Sequence, residues 1–355
     1  MRRVLCAIAL AIPVVVFTQV PADSVSPRAK QLHDRAIVVD SHDDTTQRLI
    51  FDKAFDIGKR NPNGNIDIPR MREGGLDALF FSIWVPSDVT GPTAVKRALD
   101  QIDDDLRLLR VYAALGVRYM TLTHYNNNWA DSSTDKAAHN GLTTFGKDVV
   151  REMNRLGVMV DISHVADKTF FDAIETTKAP MIASHSSSRV IANHARNMTG
   201  DMMRALARNG GVVMINYHAA FLSEEFRVAS EKKNGNVFGA IDAVSKKCGG
   251  NEACATMEGE RIDHEAMMKG DLPKVTWEKI IEHIDHAVKT AGVDHVGLGS
   301  DFDGATMPLG MDDASKLPKI TDALLKKGYS EADIEKILGG NILRVMEAAE
   351  KVKGS

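Results

Sequence analysis

The sequence predicts an α/β protein, a (β/α)8 TIM-type barrel in which seven strands can be found. Apolar runs rich in Val and Ile alternate with helical patterns along nearly the whole chain, which is typical of parallel sheets. Several of these runs also end abruptly in His or Asp, and the carboxyl ends of parallel strands meet at one face of a barrel. The runs with such polar ends are residues 37–44, 119–126, 158–164, 181–185 and 295–304.

The first of these runs, IVVDSHDD at residues 37–44, shows why the strand ends matter. Side chains in a strand alternate, so His42 and Asp44 face the same way while Asp43 faces elsewhere. An imidazole and a carboxylate facing together form half of a metal site. Alone, such a pair is more often a capping or salt-bridging arrangement. Because the polar strand ends recur, we favour the metal site.

The remaining elements follow from periodicity. The predicted strands begin near residues 37, 76, 119, 158, 180, 211 and 295. Apolar residues at helical spacing predict helices over residues 26–35, 91–116, 145–156, 168–177, 201–209, 276–291, 317–327 and 331–352. Ser330 is the expected N-cap of the last helix. Residues 49–70 are polar and predict a long loop over the barrel mouth, and residues 221–271 predict a charged excursion with its own helices.

Composition narrows the class of protein. The chain has 355 residues, 44% of them hydrophobic, and a formal net charge of -4. Neither the charge nor the spread of Lys and Arg suggests a nucleic-acid partner, so a small molecule is expected. We interpret residues 23–355 as a single barrel domain. No apolar stretch of about 18 residues follows the amino terminus, so no membrane span is expected in the mature chain.

The amino terminus resembles a secretory signal. Arg2 and Arg3 precede an apolar run over residues 4–17, which is short for a membrane span. We expect residues 1–22 to be a signal peptide and the protein to be exported, to a periplasm or outside the cell; an uncleaved anchor is the alternative. Cys248 and Cys254 lie close together in the sequence of a chain expected to be exported, so we expect them to form a disulfide. Zinc binding by this pair is not expected, because two ligands make an incomplete site.

Taken together, the motifs resemble the membrane (renal) dipeptidase family of zinc-dependent peptidases. The resemblance is carried by the His-x-Asp at 42 and 44 and by GVRYMTLTHYNNNWAD (116–131), RLGVMVDISH (155–164), PMIASHSSSR (180–189), ARNM (195–198) and GLGSDFDG (297–304). It implies a metallo-dependent hydrolase barrel that binds two Zn²⁺ ions and forms a homodimer. The implied reaction is hydrolysis of small dipeptides with a free carboxylate by a metal-bound hydroxide.

The resemblance also implies the metal ligands. His42 and Asp44 would bind one zinc ion, and His164 and His185 would bind the other. Asp301 would lie beside the first metal and carry the proton to the leaving amine.

Two further residues would contact the substrate. His124 would contact the substrate carbonyl and stabilise the oxyanion. Arg196 would clamp the terminal carboxylate, its alternative being a surface arginine beside His194. Asp303 is interpreted as structural. The histidines without motif support are also expected to be structural or solvated; they are His33, His139, His218, His264, His283, His286 and His295.

One part of the family pattern is missing. The family's bridging glutamate ends the third strand, just before a helix that resembles residues 104–116, yet no strand precedes that helix here. Glu73 belongs to the opposite end of the barrel, and residues 103–105, all Asp, fit a solvated helix amino terminus better. We therefore expect one tight zinc site and a reduced dipeptidase activity.

Two alternatives to an active dipeptidase stay open at this point. An impaired family member would bind only metal or small peptides. An amidohydrolase acting on another amide or lactone would share the fold, but it would leave Arg196 without a clear purpose.

Overall fold

Parallel strands form the centre of the computed structural model, which describes residues 24–84 and 106–354. Residues 1–22, the expected signal peptide, and residues 103–105 lie outside these ranges. Within them the sheet contains β1 (Val39–Asp43), β2 (Ala78–Phe81), β3 (Tyr119–Thr121), β4 (Met159–Asp161), β5 (Ile182–Ala183), β6 (Val212–Ile215) and β7 (Val296–Leu298). All observed strand pairs are parallel. For the described residues, the predicted set of seven strands is confirmed.

The strand order is that of a barrel with one position left open. In the described chain it runs β2-β1-β7-β6-β5-β4-β3, so β2 and β3 are the two edges. No hydrogen-bonded pairing between these edges occurs among the described residues. The rings of Phe80 on β2 and Tyr119 on β3 lie 5.6 Å apart, and we call this contact between the edges the seam. The sequence pattern likewise predicts no strand between the segments that form β2 and β3.

Helices surround the strands in the expected alternation. Those described are α1 (Pro27–Arg35), α2 (Thr45–Phe51), α3 (Ile68–Gly74), α4 (Leu106–Leu115), α5 (Thr144–Leu156), α6 (Asp167–Thr176), α7 (Gly200–Arg208), α8 (Ala219–Leu222), α9 (Glu224–Asn234), α10 (Gly239–Ser245), α11 (Glu252–Lys269), α12 (Glu278–Ala291), α13 (Pro318–Lys326), α14 (Glu331–Glu335) and α15 (Asn341–Val352). The excursion over residues 221–271 indeed carries its own helices. A π-helical turn, Lys336–Gly340, joins α14 to α15.

The prediction of one long loop over residues 49–70 was wrong at both ends. The segment begins within α2 and ends within α3. Helix α3 has a strong start, because the Asp67 side chain accepts a hydrogen bond from the backbone N–H of Arg70 and Pro69 occupies the first turn. The polar composition between the two helices hid these short elements.

Two hydrophobic clusters lie on opposite sides of the sheet. The larger one packs the strands against the surrounding helices and includes Val38, Val160 and Val213. The smaller one, the inner cluster, contains their strand neighbours, so it faces the other side of each strand. Helix α15 contributes to the inner cluster and contacts β4, β6 and β7. The inner cluster consists of Val39, Met159, Ala179, Ile182, Val212, Met214, Ile342, Val345 and Ala349.

The predicted disulfide is present between Cys248 and Cys254, whose Cα atoms are 5.7 Å apart. It joins the turn after α10 to the first turn of α11, and these two helices pack against each other. Among the helices in the described ranges, none combines the length and apolarity that a membrane crossing requires.

The glycine pair at the end of the π-helical turn provides a test of this packing. A Cβ on buried Gly339 would lie 2.2 Å from the carbonyl oxygen of Ile37, whereas one on exposed Gly340 meets no atom closer than 3.4 Å. We expect Gly339→Ala to lower the free energy of unfolding by about 1–3 kcal/mol through overpacking. Urea unfolding measures this change. Gly340→Ala is the matched control and should gain up to about 1 kcal/mol from helix propensity; equal effects would contradict the packing.

Candidate metal centre

The predicted ligands meet where the strands end. His42 lies in β1, His164 follows β4, His185 follows β5, and Asp301 follows β7. Within residues 24–84 and 106–354, one group of three metal-ligating side chains has its ligand atoms within 4.8 Å of one another, namely His42, His185 and Asp301. This group includes one member of each ligand pair, His42–Asp44 and His164–His185, that the family resemblance assigned to separate metals.

The remaining predicted ligands adjoin this group. Nε2 of His164 lies 2.9 Å from Nε2 of His185, and the rings of His42 and His185 stack with centroids 3.7 Å apart. Nε2 of His42 lies 3.6 Å from Oδ1 of Asp44 and 3.9 Å from Oδ1 of Asp301. All five side chains therefore form one cluster, which we call the metal centre.

Local backbone geometry turns these side chains inward. His164 and Asp301 have φ values of 70° and 66°, in the left-handed region that side chains other than glycine rarely adopt. The pairing register of β1 with β2 also shifts between Asp40 and Asp43, an irregularity typical of strands beside active sites. Strained conformations cluster at functional sites because the surrounding fold must hold them in place.

Burial keeps the imidazoles of His124, His164 and His185 neutral. It is the main reason that the pKa values of His164 and His185 lie well below the ordinary value, and the nearby Arg196 guanidinium adds to the shift. Burial and then Arg196 also lower the pKa of His124, to about 3. Burial raises the pKa of Asp44 to about 6, an effect that His42 opposes and Asp301 increases. Neutral imidazoles offer lone pairs, the form in which His binds metals.

Four side chains that the sequence analysis did not select bond the cluster from behind. Asn216, after β6, donates from Nδ2 to Oδ2 of Asp301 at 2.8 Å. The Ser82 hydroxyl donates to Oδ1 of Asp44. Tyr119 contacts Nδ1 of His42, and Ser184 contacts Nδ1 of His185. Asn216 and Ser82 are polar residues just after strands, so the strand-end signal could have found them.

Arg196 is the strongest indication of an anionic ligand. The residue is only 4% exposed, so it is not the surface arginine of the alternative interpretation. Nη2 reaches the carbonyl oxygen of His185 at 3.4 Å, while Nε and Nη1 are buried without a hydrogen-bond partner in the described structure. The guanidinium lies over the Phe221 ring, 5.5 Å from its centroid. Because an unpaired buried charge is costly, this arrangement suits a carboxylate that arrives with the ligand.

Aromatic rings connect Arg196 and the metal centre to the excursion. The His124 ring lies 4.4 Å from the His164 ring and 5.7 Å from that of Trp84. Tyr125 contacts both His164 and Phe238, and Phe238 precedes α10. His124 thus lies beside the metal centre, next to rings able to contact an apolar side chain.

Residues that the sequence analysis left without a role are engaged elsewhere. Asp303 accepts hydrogen bonds from the Thr45 hydroxyl and the Asn65 backbone and lies 3.7 Å from Arg48. His33 bonds the Gly74 carbonyl oxygen. The other histidines without motif support include His283, which bonds Leu222, and His295, which bonds Gly211.

The donor set fits a divalent metal ion such as Zn²⁺. Neutral imidazole nitrogens and carboxylate oxygens are its usual ligands, at about 2.0–2.2 Å. Two nitrogens 2.9 Å apart, as in His164 and His185, can both lie at that distance from one ion. The residues that would hold a metal are those of the metal centre, namely His42, Asp44, His164, His185 and Asp301.

Comparison with known proteins gives a consistent result. The family model described as membrane dipeptidase (Peptidase family M19) matches residues 26–104 and 99–355. The two matched parts overlap at residues 99–104, within the segment for which the sequence pattern predicts no strand.

A curated relative, dipeptidase tcpJ of Claviceps purpurea (strain 20.1), is 35% identical over 260 residues, or 72% of this chain. That alignment covers 50% of the relative, so the chain spans about half its length.

Two solved structures have the same fold. The probable dipeptidase PvdM from Pseudomonas aeruginosa superposes with a TM-score of 0.72 at 25% identity, covering 92% of this chain and 100% of that one. The dipeptidase AC, a metallo peptidase, gives a TM-score of 0.71 at 25% identity, covering 90% and 99%.

The contact between Asn216 and Asp301 can be tested through stability. Asn216→Ala leaves a buried carboxylate oxygen without its amide donor, so we expect the metal-free protein to lose about 1–3 kcal/mol of unfolding free energy. Urea unfolding in the presence of a chelator measures this loss. The control Asn193→Ala, at an exposed position, should change stability by less than about 0.5 kcal/mol. If both variants behaved alike, the contact would be irrelevant to stability.

Proposed function

Because the chain belongs to the membrane dipeptidase family, Peptidase family M19, we propose that it is a metal-dependent dipeptidase that hydrolyses small dipeptides with a free carboxylate. The observation that carries the proposal is the buried Arg196 guanidinium, with two unpaired nitrogens beside the cluster of potential metal ligands. A dipeptide places its carboxylate one residue from the bond to be cleaved. Its two ends therefore match the two parts of this site.

Each residue would have a defined task. A bound Zn²⁺ would lower the pKa of a water molecule to about 7 and polarise the substrate carbonyl. His124, which its low pKa keeps neutral, has one N–H to donate to the carbonyl oxygen as negative charge develops there. Asp301, whose Oδ2 is held by Asn216, presents Oδ1 toward His42 and would carry a proton from water to the leaving amine.

We further propose that one metal ion binds tightly and a second binds weakly. His42, His185 and Asp301 supply the three protein ligands typical of catalytic zinc, with Asp44 close to His42. A second ion would rely mainly on His164. Residues 85–105 contain aspartates but no glutamate, so the sequence offers no match there for the family's bridging carboxylate. Two cations without a shared anion repel each other, which disfavours full occupancy.

The buried arginine also weighs against the amidohydrolase alternative. An amide or lactone without a free carboxylate would leave the buried Arg196 charge unpaired. An impaired family member would retain Arg196 and the metal ligands but would hydrolyse no dipeptide. An assay of dipeptide hydrolysis by the metal-loaded protein therefore distinguishes it from a dipeptidase.

Export is likewise a proposal. It is supported by the charged and apolar pattern of residues 1–22 and by the Cys248–Cys254 disulfide, because such bonds persist mainly in oxidising compartments.

Replacing Arg196 tests the carboxylate clamp. We expect Arg196→Ala to raise KM for a free dipeptide about 10- to 100-fold, the value of a charge-assisted hydrogen bond, and to change KM for the carboxyl amide little. Steady-state kinetics on the two substrates measure the difference. Arg204→Ala removes an exposed arginine that pairs with Asp201 and serves as the matched control. Equal losses on both substrates would exclude the clamp.

Metal titration tests the number of tight sites. Metal-free protein titrated with Zn²⁺ against a chromophoric chelator should bind one tight equivalent per chain and a second only at much higher concentration. His185→Ala should abolish the tight equivalent, and His139→Ala, at an exposed position, should not. Two equally tight equivalents accompanied by full peptidase activity would show that another residue bridges the metals.

A further inference from the structure

We propose that Tyr119 is a positioning residue that fixes the tautomer of His42, so that the Nε2 lone pair faces the metal centre before any metal arrives. The inference rests on the metal-binding part of the proposed function. It goes beyond that function because Tyr119 is neither a metal ligand nor a substrate contact.

The hydrogen bonds around Tyr119 determine where the protons lie. The phenol oxygen is 3.0 Å from the carbonyl oxygen of Ser41 and 2.9 Å from Nδ1 of His42. A phenol has one proton to donate, and a carbonyl oxygen can only accept. Both contacts are satisfied when Tyr119 donates to Ser41 and accepts from Nδ1–H of His42. Nε2 of His42 is then left with its lone pair, on the side of Asp44 and Asp301.

His185 is preset by the same logic through different residues. Its Nδ1 lies 2.7 Å from the Ser184 hydroxyl, and that hydroxyl donates to Oδ2 of Asp161 at 2.6 Å. A carboxylate can only accept, so the Ser184 oxygen accepts from Nδ1–H of His185. Backbone N–H groups of Ser163 and Ser184 hold the other oxygen of Asp161 in place. The Nε2 lone pair of His185 therefore also faces the metal centre.

His164 differs from the other two histidines. Its Nδ1 is buried without a hydrogen-bond partner in the described structure, while Nε2 lies 2.9 Å from Nε2 of His185. Since His185 offers a lone pair there, His164 donates Nε2–H to it in the metal-free protein. Before it could bind a metal through Nε2, His164 would have to move that proton to Nδ1, where no acceptor in the described structure awaits it. Preset His42 and His185 are therefore the first to bind.

The position of Tyr119 explains why a long side chain is needed. It lies on β3 at one edge of the described sheet, whereas His42 lies on β1. The Phe80 ring packs against the Tyr119 ring at the seam, so the phenol reaches His42 from an edge of the described sheet.

Nitrogen-15 NMR of the histidine rings tests the assignment directly in the metal-free protein. At a pH where imidazoles are neutral, His42 and His185 should both show a protonated Nδ1 and an unprotonated Nε2. In Tyr119→Phe, His42 should become a mixture of tautomers while His185 keeps its proton on Nδ1. In Ser184→Ala, His185 should become the mixture while His42 keeps its proton on Nδ1.

Zinc affinity gives the second measurement. Losing such a supporting hydrogen bond typically costs about 10- to 100-fold in metal affinity, and we expect this for Tyr119→Phe by competition with a chelator. Phe80→Leu is the matched control, because it changes packing at the same seam without touching a ring nitrogen. It should alter stability but neither tautomer nor affinity. Equal loss of affinity in Phe80→Leu would show that general loosening of the seam is the cause and would overturn the proposal.

The proposal has a test that needs no variant. An unprotonated Nδ1 on His42 in the wild-type protein would overturn it even if Tyr119→Phe failed to fold. Both measurements are independent of turnover. A protein that hydrolyses no dipeptide but shows the expected tautomers would refute the proposed function and leave the inference standing. An active enzyme in which His42 is a mixture of both tautomers would refute the inference and leave the proposed function standing.

Discussion

The burial of several imidazoles and carboxylates side by side is the constraint on which the rest of this structure depends. Each of these groups loses water when the strands converge, and each must regain a partner from the protein or from a ligand. The side chains that bond the metal centre supply these partners from the protein. Ser82, Tyr119, Ser184 and Asn216 bond one side of Asp44, His42, His185 and Asp301, and the remaining ligand atoms of His42, His185 and Asp301 converge in the metal centre. Arg196 adds a positive charge beside them that the described protein leaves partly unpaired.

Periodicity and strand ends predicted much of this arrangement. The seven strands, the alternating helices and the inward side chains of His42, His185 and Asp301 follow from apolar runs that stop at polar residues. What the sequence could not provide was contact between distant segments. The stacked rings of His42 and His185 are one example, because a linear pattern does not reveal the curvature that brings β1 and β5 together.

The features that the sequence did not reveal depend on hydrogen bonds from individual side chains. Tyr119 lies at the start of β3, and its hydroxyl contacts His42 on a strand that is distant in sequence. The short helices α2 and α3 were hidden in a polar segment because capping by Asp67, rather than an apolar stripe, marks the start of α3. Local signals of this kind are weak in sequence and become clear only when their partners are placed.

The inner cluster has a consequence for the order in which the protein can be assembled during synthesis. Residues from β1, β4, β5 and β6 pack there against Ile342, Val345 and Ala349 of α15, a helix that follows all seven described strands in the sequence. A ribosome releases this helix after all seven described strands, so a nascent chain carries every ligand of the metal centre before it can close the interior beneath them. Until α15 has emerged, the polypeptide exposes the valines and methionines of these strands, and it needs protection from aggregation during that interval.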